Sequence, residues 1–523
     1  MNAFMNRIIG LWLIACTLVL TGCSDSDKEV PKKPETPTQQ PQKPTTPTEN
    51  AQNEMNKTID DYLTEYYLWN DEYKGMTRDL SIPYVDSYDN FMETTLLKMK
   101  GNTLDKKKTS SGNYSLYSYI DRKDKKPRSK AASGVTHGIE KEDKIKSFGF
   151  SKLAIVNFVN KDGTPTGNYG FVVESVYPKS VAETFGVKRG SFIYTINGET
   201  ITDKNYMDHY LELVQPTKNN VMLEVGDGTK EPDEMSLTAT EIEATPIMKN
   251  EVLQVGGHKI GYLIYDAFEA GYDNDLLVVL SEFKKAGITD LVLDLRYNGG
   301  GHVISSMMLS GCLAGSDCKG KIFQYYRYND TRMKAVNETM KQTGNNYDPS
   351  AGYFYDHYMY DNYFGVNLAA YDLSHANLYV LTTGNTASSS EILVSSLRGI
   401  GVPVTLIGEK TNGKNVGMEV EEFDKGNYSY ELAPITFQNY NARKETVPAT
   451  GLSVDYPVAD WNDGYVDFGK DEPMLAKALE LITGTTAKAT ARSTSTVKVK
   501  QVPVDLPVVG KQRLQGAIIF NQE

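Results

Sequence analysis

The stretch Leu291-Val-Leu-Asp-Leu-Arg-Tyr-Asn-Gly-Gly-Gly301 has the pattern of a buried strand that runs into three glycines. A continuous apolar run of this kind is typical of a strand covered on both faces of a parallel sheet. Glycines after such a strand usually form a tight turn, but the backbone N–H groups of a turn can also bind an oxyanion. The stretch therefore predicts an α/β sheet with a candidate anion site at one strand end.

The residues around this stretch alternate between strand and helix patterns. Predicted strands cover residues 262–266, 291–295, 321–326, 378–383 and 404–409, and predicted helices cover residues 273–286, 303–313 and 473–482. Strands that alternate with helices indicate βα units, and ligand sites in such folds tend to lie at the carboxyl ends of the strands. Asp294 and Arg296 are predicted to hold the βα turn by hydrogen bonds.

A second motif, Thr386-Ala-Ser-Ser-Ser-Glu391, follows the apolar strand and enters a predicted helix at residues 392–398. A serine at such a junction lies beside the free N–H groups of the helix. Lys414 follows Gly413 in a later loop, and a neutral lysine can serve as the base of an activated serine. Taken alone, a serine-rich helix start is usually an N-cap, and a lysine after glycine is usually solvated. The glycine turn, the serine motif and Lys414, taken together in this order, favour a nucleophilic serine with a lysine as its base.

Three motifs, taken in this order, resemble the carboxyl-terminal processing, or tail-specific, serine peptidases. The motifs are Asp294-Leu-Arg-Tyr-Asn-Gly-Gly-Gly301, Ala387-Ser-Ser-Ser-Glu391 and Gly408-Glu-Lys-Thr-Asn-Gly-Lys414. The resemblance covers about residues 147–484. It implies a serine-type endopeptidase with an α/β peptidase core, built as a mixed sheet with βα units, together with a small PDZ-like β-rich domain and an N-terminal helical domain.

The resemblance also implies site residues. The nucleophile of the family lies three residues before the helix glutamate, which selects Ser388, and Lys414 matches the general base. The backbone N–H groups of Gly300 and Ser389 would form the oxyanion hole. The remaining positions that match supporting residues of the family are Glu391, Thr411, Gly299 and Gly301.

The third member of a triad is not assigned. Some family members carry an aspartate between the serine and the lysine, where this chain reads Arg398-Gly-Ile400, and others carry a glutamine four residues after the lysine, where this chain has Met418. A Ser–Lys dyad, with Thr411 as a candidate for support, is the natural interpretation. It requires that burial lowers the pKa of Lys414 from about 10.4 to near 7. The alternative is a family member without turnover that acts as a peptide-binding surface lipoprotein.

Residues 147–225 contain short strand patterns around a helix and resemble a PDZ domain of the processing-protease type. Ser147-Phe-Gly-Phe150 matches the loop whose backbone N–H groups bind a terminal carboxylate while the peptide adds a strand. The resemblance thus implies peptide binding at Phe148, Gly149 and Phe150. The partners it implies are polypeptide substrates captured by their C-terminal tails.

The N-terminal residues resemble a bacterial lipoprotein signal. Arg7 precedes an apolar run from Ile8 that is too short to span a bilayer comfortably. The run ends in Leu20-Thr-Gly-Cys23, which implies lipidation at Cys23 and a location in the cell envelope, at the outer membrane or the cell surface, with a periplasm-facing orientation left open. An ordinary secretory signal with a chance cysteine is the alternative.

The predicted organisation has six parts. They are the signal peptide (1–22), a Pro/Thr-rich tether (23–52) too polar to build a core, the N-terminal helical domain (53–143), the PDZ-like domain (144–245), the catalytic core (246–484) and a C-terminal extension (485–523). Two features stay open: the role of the extension, and whether the tyrosine-rich insert at residues 353–364 packs over a crossover or lines a substrate groove.

Composition excludes some function classes. The net charge is −12 and basic residues are scattered, which argues against nucleic-acid binding. No Cys/His spacing predicts a metal site, and no cofactor is implied. His302 follows the glycine turn and is interpreted as a helix-start residue. Cys312 and Cys318 can pair in an oxidising compartment or stay free, and the sequence leaves both open.

Overall fold

A computed structural model describes residues 49–82, 90–108, 112–124, 141, 144–160, 162–343, 354–357, 360–426, 428–461, 464–485 and 498–502. Several predicted features lie outside these residues. They are the signal peptide, Cys23 with the tether as far as residue 48, residues 353, 358 and 359 of the tyrosine-rich insert, and most of the C-terminal extension.

The N-terminal region combines helices with short strands. Its elements are α1 (Glu49–Tyr66), α2 (Asn70–Lys74), α3 (Asn90–Lys98), β1 (Lys106–Lys108), β2 (Tyr114–Leu116) and β3 (Tyr119–Asp124).

The next region is a β-rich domain with two helices. Its elements are β4 (Ile145–Ser147), β5 (Phe150–Val159), β6 (Pro165–Val176), α4 (Val181–Thr184), β7 (Phe192–Ile196), β8 (Glu199–Thr200), α5 (Tyr206–Val214), β9 (Asn220–Gly226), β10 (Asp233–Thr238) and β11 (Thr240–Ile242).

The core follows. Its first half contains β12 (Ile247–Val255), β13 (His258–Tyr265), α6 (Asp273–Ala286), β14 (Asp290–Asp294), α7 (Val303–Ala314), β15 (Ile322–Tyr328), α8 (Asp330–Thr343), β16 (Phe354–His357), β17 (Asn377–Thr382), α9 (Ser389–Gly399) and β18 (Thr405–Gly408). The rest of the chain contains β19 (Val416–Met418), β20 (Glu421–Lys425), β21 (Tyr428–Ala433), β22 (Ile435–Tyr440), β23 (Tyr456–Pro457), α10 (Pro473–Thr483) and β24 (Val499–Gln501).

The central sheet of the core has the order β12-β13-β14-β17-β18-β23. Only the β12–β13 pair is antiparallel, and the neighbours from β13 to β23 pair in parallel. Side chains alternate along β13: Leu263 and Tyr265 enter the apolar cluster that contains α6, α7 and α9, whereas Tyr262 and Ile264 enter the cluster that contains α10. Helices therefore cover both faces, and the predicted α/β core of mixed sheet with βα units is confirmed.

Helix α6 shows why these segments become helices. Its buried residues Leu276, Leu280 and Phe283 recur at helical spacing and face the sheet. Asp273 in the first turn and Lys284 in the last turn suit the helix dipole. Gly287 ends the helix with a left-handed φ of 66°, a conformation that glycine adopts without steric cost.

The β-rich domain contains a sheet in the order β10-β9-β7-β6-β5-β24, with β8 beside β7. This confirms the predicted small β-rich domain. Its last strand is unexpected, because β24 belongs to the C-terminal extension, for which the sequence left the role open. Phe148 and Phe150 are buried in the apolar cluster of this domain, so their side chains stabilise the fold and are closed to a ligand.

The N-terminal region packs on the strands that follow Lys414. Met55, Ile59 and Leu63 of α1 share one apolar cluster with Val416 and Met418 of β19. Strand β3 pairs with β21 in a three-stranded sheet. The region predicted as a helical domain contains α1 to α3 and also short strands. One of these strands, β3, is completed by a strand of the core that no local pattern reveals.

A buried ion network fixes the turn after β14. Arg296 is fully buried, and it donates to Asp294 Oδ2 at 2.8 Å, to Asp460 Oδ1 at 2.7 Å and to Glu472 Oε1 at 2.8 Å. Glu472 is also the N-cap of α10 and accepts a hydrogen bond from Leu475 N at 2.9 Å. Burial alone would raise the pKa of Glu472, but the guanidinium lowers it below its ordinary value. Arg296 therefore links the turn that precedes α7 to α10, and these two helices lie on different faces of the sheet.

Replacing Arg296 with alanine should lower the free energy of unfolding by about 3–5 kcal/mol, because buried Asp294 and Glu472 lose their counter-charge. Asp460 loses one of its two counter-charges and keeps that of Arg189. Urea unfolding followed by circular dichroism measures the loss. The matched control is Arg327→Ala, whose bridge to Asp330 lies on the surface and should matter by at most about 1 kcal/mol. Equal losses in both variants would contradict the assignment.

Candidate active site

The parallel sheet brings the predicted motifs together. Strands β14, β17 and β18 are neighbours in parallel register, so their carboxyl ends lie side by side. The loops that leave these ends carry the glycine turn, Ser388 and Lys414 respectively. Three motifs that are far apart in sequence thus meet at one edge of the sheet.

Ser388 is held in a strained backbone conformation at the N-cap of α9, with φ 55° and ψ −115°. A residue other than glycine in such a region costs about 1–3 kcal/mol, and strain of this kind clusters at functional sites. The conformation is stabilised by two hydrogen bonds: Ser388 N donates to Glu391 Oε2 at 3.0 Å, and Ser388 O accepts from Ile392 N at 2.8 Å.

The three consecutive serines differ in what their hydroxyl groups do. Ser389 Oγ donates to Gly301 O at 2.7 Å, and Ser390 Oγ donates to Asn298 O at 3.0 Å, so both brace the glycine turn. Ser388 Oγ is fully buried and has no hydrogen-bond partner among the described residues. Of the three, Ser388 alone has a hydroxyl that makes no hydrogen bond in the described residues, although it lies in a capping-box arrangement with Glu391 at the start of α9. It is the residue that the sequence predicts as nucleophile.

Lys414 is almost completely buried, with 2% of its surface exposed. Its Nζ has no hydrogen-bond partner in the described part of the chain and lies 4.8 Å from the centre of the Tyr117 ring. Burial lowers the pKa of Lys414 to about 7, although the negative charges of Asp105 and Glu391 oppose the change. A neutral amine is therefore well populated near neutral pH, as a lysine base requires.

Glu391 connects the two candidate residues. Its Oε2 accepts from Ser388 N at 3.0 Å and from Lys414 N at 2.9 Å. Its Oε1 accepts from Thr411 Oγ1 at 2.5 Å and from Gly413 N at 2.7 Å. Burial raises the pKa of this carboxyl to about 7, against the effect of these hydrogen bonds. Thr411 and Glu391, both predicted as supporting residues, thus belong to one polar cluster.

The glycine turn is packed closely against Ser388. A Cβ atom at Gly300 would lie 2.7 Å from Ser388 Cβ, and one at Gly301 would lie 2.2 Å from Phe268 O, so larger residues do not fit. The Gly300 N–H donates to Asn298 Oδ1 at 2.9 Å and is thus engaged in this conformation. Gly299 is half-buried in the same turn. The oxyanion-hole roles of Gly300 and Ser389 stay predictions.

The N-terminal region supplies residues that the sequence analysis missed. Asp105 is fully buried and acts electrostatically on Lys414. It accepts from Tyr67 OH and from Ser118 Oγ, each at 2.7 Å, while burial raises its pKa to about 6. Tyr117 OH donates to Asn412 Oδ1, two residues before Lys414, at 2.9 Å. No motif marks these positions, because their role depends on how the N-terminal region packs on the core.

Other sequence-predicted residues have structural surroundings. His302 is the N-cap residue of α7, and its Nδ1 lies 3.1 Å from Phe268 O. Met418, which occupies the position of the family glutamine, is buried against the N-terminal helices. Gly149 N donates to Ser147 Oγ at 2.9 Å, so one N–H of the predicted carboxylate loop is engaged. Peptide binding at Phe148, Gly149 and Phe150 stays a prediction for their backbone.

Three further features concern the described residues outside the candidate site. Cys312 and Cys318 are buried and free. Among the described residues, no group of three or more His, Cys, Asp or Glu side chains could hold a metal ion. Within the same residues, no helix combines the length and the apolar character needed to cross a membrane.

Comparisons with known proteins give two family matches. Residues 259–458 match peptidase family S41, and residues 172–225 match the PDZ domain. The carboxy-terminal processing protease CtpB of Bacillus subtilis is 30% identical over 135 residues, which cover 26% of this chain and 28% of that protein. The chloroplastic carboxyl-terminal-processing peptidase 1 of Arabidopsis thaliana is 26% identical over 262 residues, covering 50% and 47%. The chain thus spans about half the length of these relatives, or less.

A solved structure from Bacteroides fragilis, described as a candidate S41 protease, has a TM-score of 0.58 and 24% identity. The match covers 82% of this chain and 97% of that one. At this identity the similarity shows the fold. Together with the two family matches, it confirms the resemblance to the carboxyl-terminal processing serine peptidases with a PDZ domain.

The buried lysine predicts a pH dependence of stability. The pKa of Lys414 is about 7 in the folded chain and close to its ordinary value of about 10.4 when unfolded. Between these values the unfolded state binds more protons, so the contribution of Lys414 to stability rises with pH. Relative to Lys414→Met, the natural chain should therefore gain about 2 kcal/mol in free energy of unfolding between about pH 7 and 9.

Urea unfolding at several pH values measures this difference. Lys204→Met, at an exposed position, is the control and should follow the natural chain at every pH. If the free energies of unfolding of Lys414→Met and of the natural chain changed in parallel between about pH 7 and 9, Lys414 would have the same pKa in the folded and the unfolded chain.

Proposed function

We propose that this chain, which resembles the carboxyl-terminal processing serine peptidases with a PDZ domain, is a serine endopeptidase that uses Ser388 and Lys414 as a catalytic dyad. Its substrates would be polypeptides, captured by their C-terminal ends through the PDZ-like domain. Export and a lipid anchor at Cys23 complete the proposal, which places the protein in the bacterial cell envelope at the outer membrane or the cell surface.

One observation carries the catalytic part. Ser388 Oγ and Lys414 Nζ are both buried and without a hydrogen-bond partner in the described residues, while the backbone nitrogens of the same two residues donate to one oxygen of Glu391. Buried polar groups are nearly always hydrogen-bonded, and leaving two unsatisfied costs stability. Such a cost at two converging residues is expected where the groups are kept free for chemistry.

The chemistry follows from the protonation of Lys414. Neutral Lys414 takes the proton of Ser388 Oγ as this oxygen forms a bond to the carbonyl carbon of the substrate. The carbonyl electron pair moves to the oxygen, which the backbone N–H groups of Gly300 and Ser389 would stabilise. When the C–N bond breaks, the lysine ammonium protonates the leaving amine. Water then hydrolyses the acyl-enzyme, with the lysine first accepting and then returning a proton.

Two adjustments are needed for this reaction. Lys414 Nζ has to come within hydrogen-bond distance of Ser388 Oγ, since no bond joins them in the described residues. The Gly300 N–H has to leave or share Asn298 Oδ1. We therefore interpret this conformation as a resting one, in which the groups are assembled but not aligned.

The same engaged N–H favours a second candidate function, namely a peptide-binding surface lipoprotein without turnover. If the Gly300 N–H stayed bound to Asn298, the oxyanion would not be stabilised. The protein would then bind peptides in its PDZ-like domain and leave them intact. A direct measurement of cleavage separates the two candidates.

Ser388→Ala should abolish cleavage of an unfolded polypeptide such as β-casein, with a loss of turnover up to about a millionfold. Ser389→Ala and Ser390→Ala are matched controls. They should lose only part of the activity, because the hydroxyl groups that they remove brace the glycine turn and do not attack the substrate. Gel analysis of the fragments measures the rates. Normal cleavage by Ser388→Ala would exclude the mechanism, and intact substrate with the natural chain would favour the binding protein.

The pH profile tests the base and Asp105 together. Because Lys414 has to be neutral, kcat/KM should rise with pH along an ionisation near 7. The carboxylate of Asp105 raises the pKa of Lys414, so Asp105→Asn should move this limb to lower pH. Lys414→Arg should be inactive, since a guanidinium stays protonated.

Asp60→Asn is the control for this profile. Asp60 also accepts a hydrogen bond from a tyrosine, Tyr73, at 2.7 Å, but it is not among the charges that act on Lys414. Its profile should match that of the natural chain. An unmoved limb in Asp105→Asn would mean that Asp105 does not tune the base.

A further inference from the structure

We infer that residues 498–502 are an internal ligand of the PDZ-like domain. They occupy the strand edge at which a polypeptide would be captured, so that a substrate has to displace them. This regulation rests on the proposed function, because it concerns access of the same substrates to the same site.

The backbone pairing is that of an added strand. Strand β5 pairs with β6 along one edge and with β24 along the other. In the antiparallel register Val499 lies opposite Phe158 and Gln501 opposite Val156. The ladder extends at both ends, since Val159 N donates to Lys498 O and Val502 N donates to Ile155 O, each at 3.0 Å. The edge of β5 is therefore closed along half of its length.

The direction of β24 is the one expected of a peptide ligand. Residue numbers rise along β24 as they fall along β5, so the chain at Val502 heads toward Phe150. The predicted carboxylate-binding loop, Phe148 to Phe150, lies at that end of β5. In strand addition with capture of a terminus, the carboxyl end of the ligand points to this loop. The internal segment and a captured tail would thus run the same way over the same groups.

The side chains of the segment are also accommodated. Val502 packs against the apolar cluster of the PDZ-like domain, which contains Tyr210 and Leu213 of α5. Val499 packs on the opposite side of the sheet, in a cluster with Phe158. Lys498 and Lys500 are exposed. Val499 and Val502 are half-buried, so the segment Val-Lys-Val-Lys-Gln-Val packs one apolar side chain on each face of the sheet.

Gln501 joins the segment to the boundary between the PDZ-like domain and the core. Its Nε2 donates to Tyr465 OH at 3.0 Å, and Tyr465 OH donates to Glu174 Oε1 at 2.5 Å. The Tyr465 ring lies 4.5 Å from the guanidinium carbon of Arg189, which pairs with Asp460 at 2.6 Å. Occupation of the β5 edge is thus linked to contacts that hold the two parts of the chain together.

A covalently attached ligand competes strongly even when its contacts are few. Its effective concentration can reach the millimolar range, and the apparent Kd of an external peptide rises in inverse proportion to the fraction of open edges. A segment of five residues forms few contacts, so a longer polypeptide with a better fit can replace it. The segment would therefore set a threshold for capture and leave the edge accessible to good substrates.

The test uses the full chain with Ser388→Ala, in which turnover is absent. The probe is a fluorescent peptide, Val-Lys-Val-Lys-Gln-Val with a free carboxylate, and its binding is followed by anisotropy. Val502→Pro removes the N–H that donates to Ile155 O and should tighten binding of the probe about fivefold or more. Lys500→Ala, at an exposed position of the same strand, is the matched control and should leave the Kd unchanged.

Hydrogen exchange gives a second readout that does not depend on the probe. The Val159 N–H donates to Lys498 O, so it should exchange faster in Val502→Pro and stay protected in Lys500→Ala. If Val502→Pro does not fold, Gln501→Ala takes its place, because it removes the bond to Tyr465 without changing the backbone. It should give smaller changes in the same direction. Unchanged exchange and unchanged probe binding in the folded variants would overturn the inference.

Cleavage assays distinguish this failure from failure of the proposed function. With Ser388 intact, Val502→Pro should raise kcat/KM for a polypeptide about fivefold and leave kcat unaltered. If the probe competes with the segment but kcat/KM does not rise, the regulatory role is wrong. If neither the natural chain nor any variant cleaves a polypeptide, the proposed function is wrong. Probe binding and hydrogen exchange still decide whether residues 498–502 compete at the β5 edge.

Discussion

The buried carboxylate of Glu391 is the interaction on which the candidate site depends. It accepts four hydrogen bonds. The donors are the backbone N–H groups of Ser388, Gly413 and Lys414 and the hydroxyl group of Thr411. Hydrogen bonds to an ionised acceptor are stronger than neutral ones. A single side chain therefore fixes the distance between two loops that leave different strands, and burial raises the pKa of its carboxyl to about 7.

The environment of Lys414 is shared between distant parts of the chain. The core supplies the loop and Glu391, whereas the N-terminal region supplies the Tyr117 ring and the charge of Asp105. Without that region the amine would be solvated, and its pKa would return toward the ordinary value. The small apolar cluster of α1 with β19 is thus part of the chemistry, because it places the cover over the lysine.

Local patterns in the sequence predict much of this structure. The spacing predicts a helix over residues 273–286, and α6 has these bounds. The pattern before Gly299 predicts a buried strand, and all residues of β14 are buried. The start of α9 is predicted at residue 392 but lies at Ser389, because the hydroxyl groups of Ser389 and Ser390 bind the glycine turn and leave their backbone free to enter the helix. Asp105, the β3–β21 pair and β24 could not be predicted, since each depends on a partner far away in sequence.

The pairing of β24 with β5 has a consequence for the order of biosynthesis. Phe158 precedes its partner Val499 by most of the length of the chain, so the edge of β5 leaves the ribosome long before the strand that covers it. Contacts of such long range form late and slowly, and an uncovered strand edge is a template for association with other chains. The nascent protein therefore passes through a period in which this edge is open, and that period lasts at least until residues 498–502 have been synthesised.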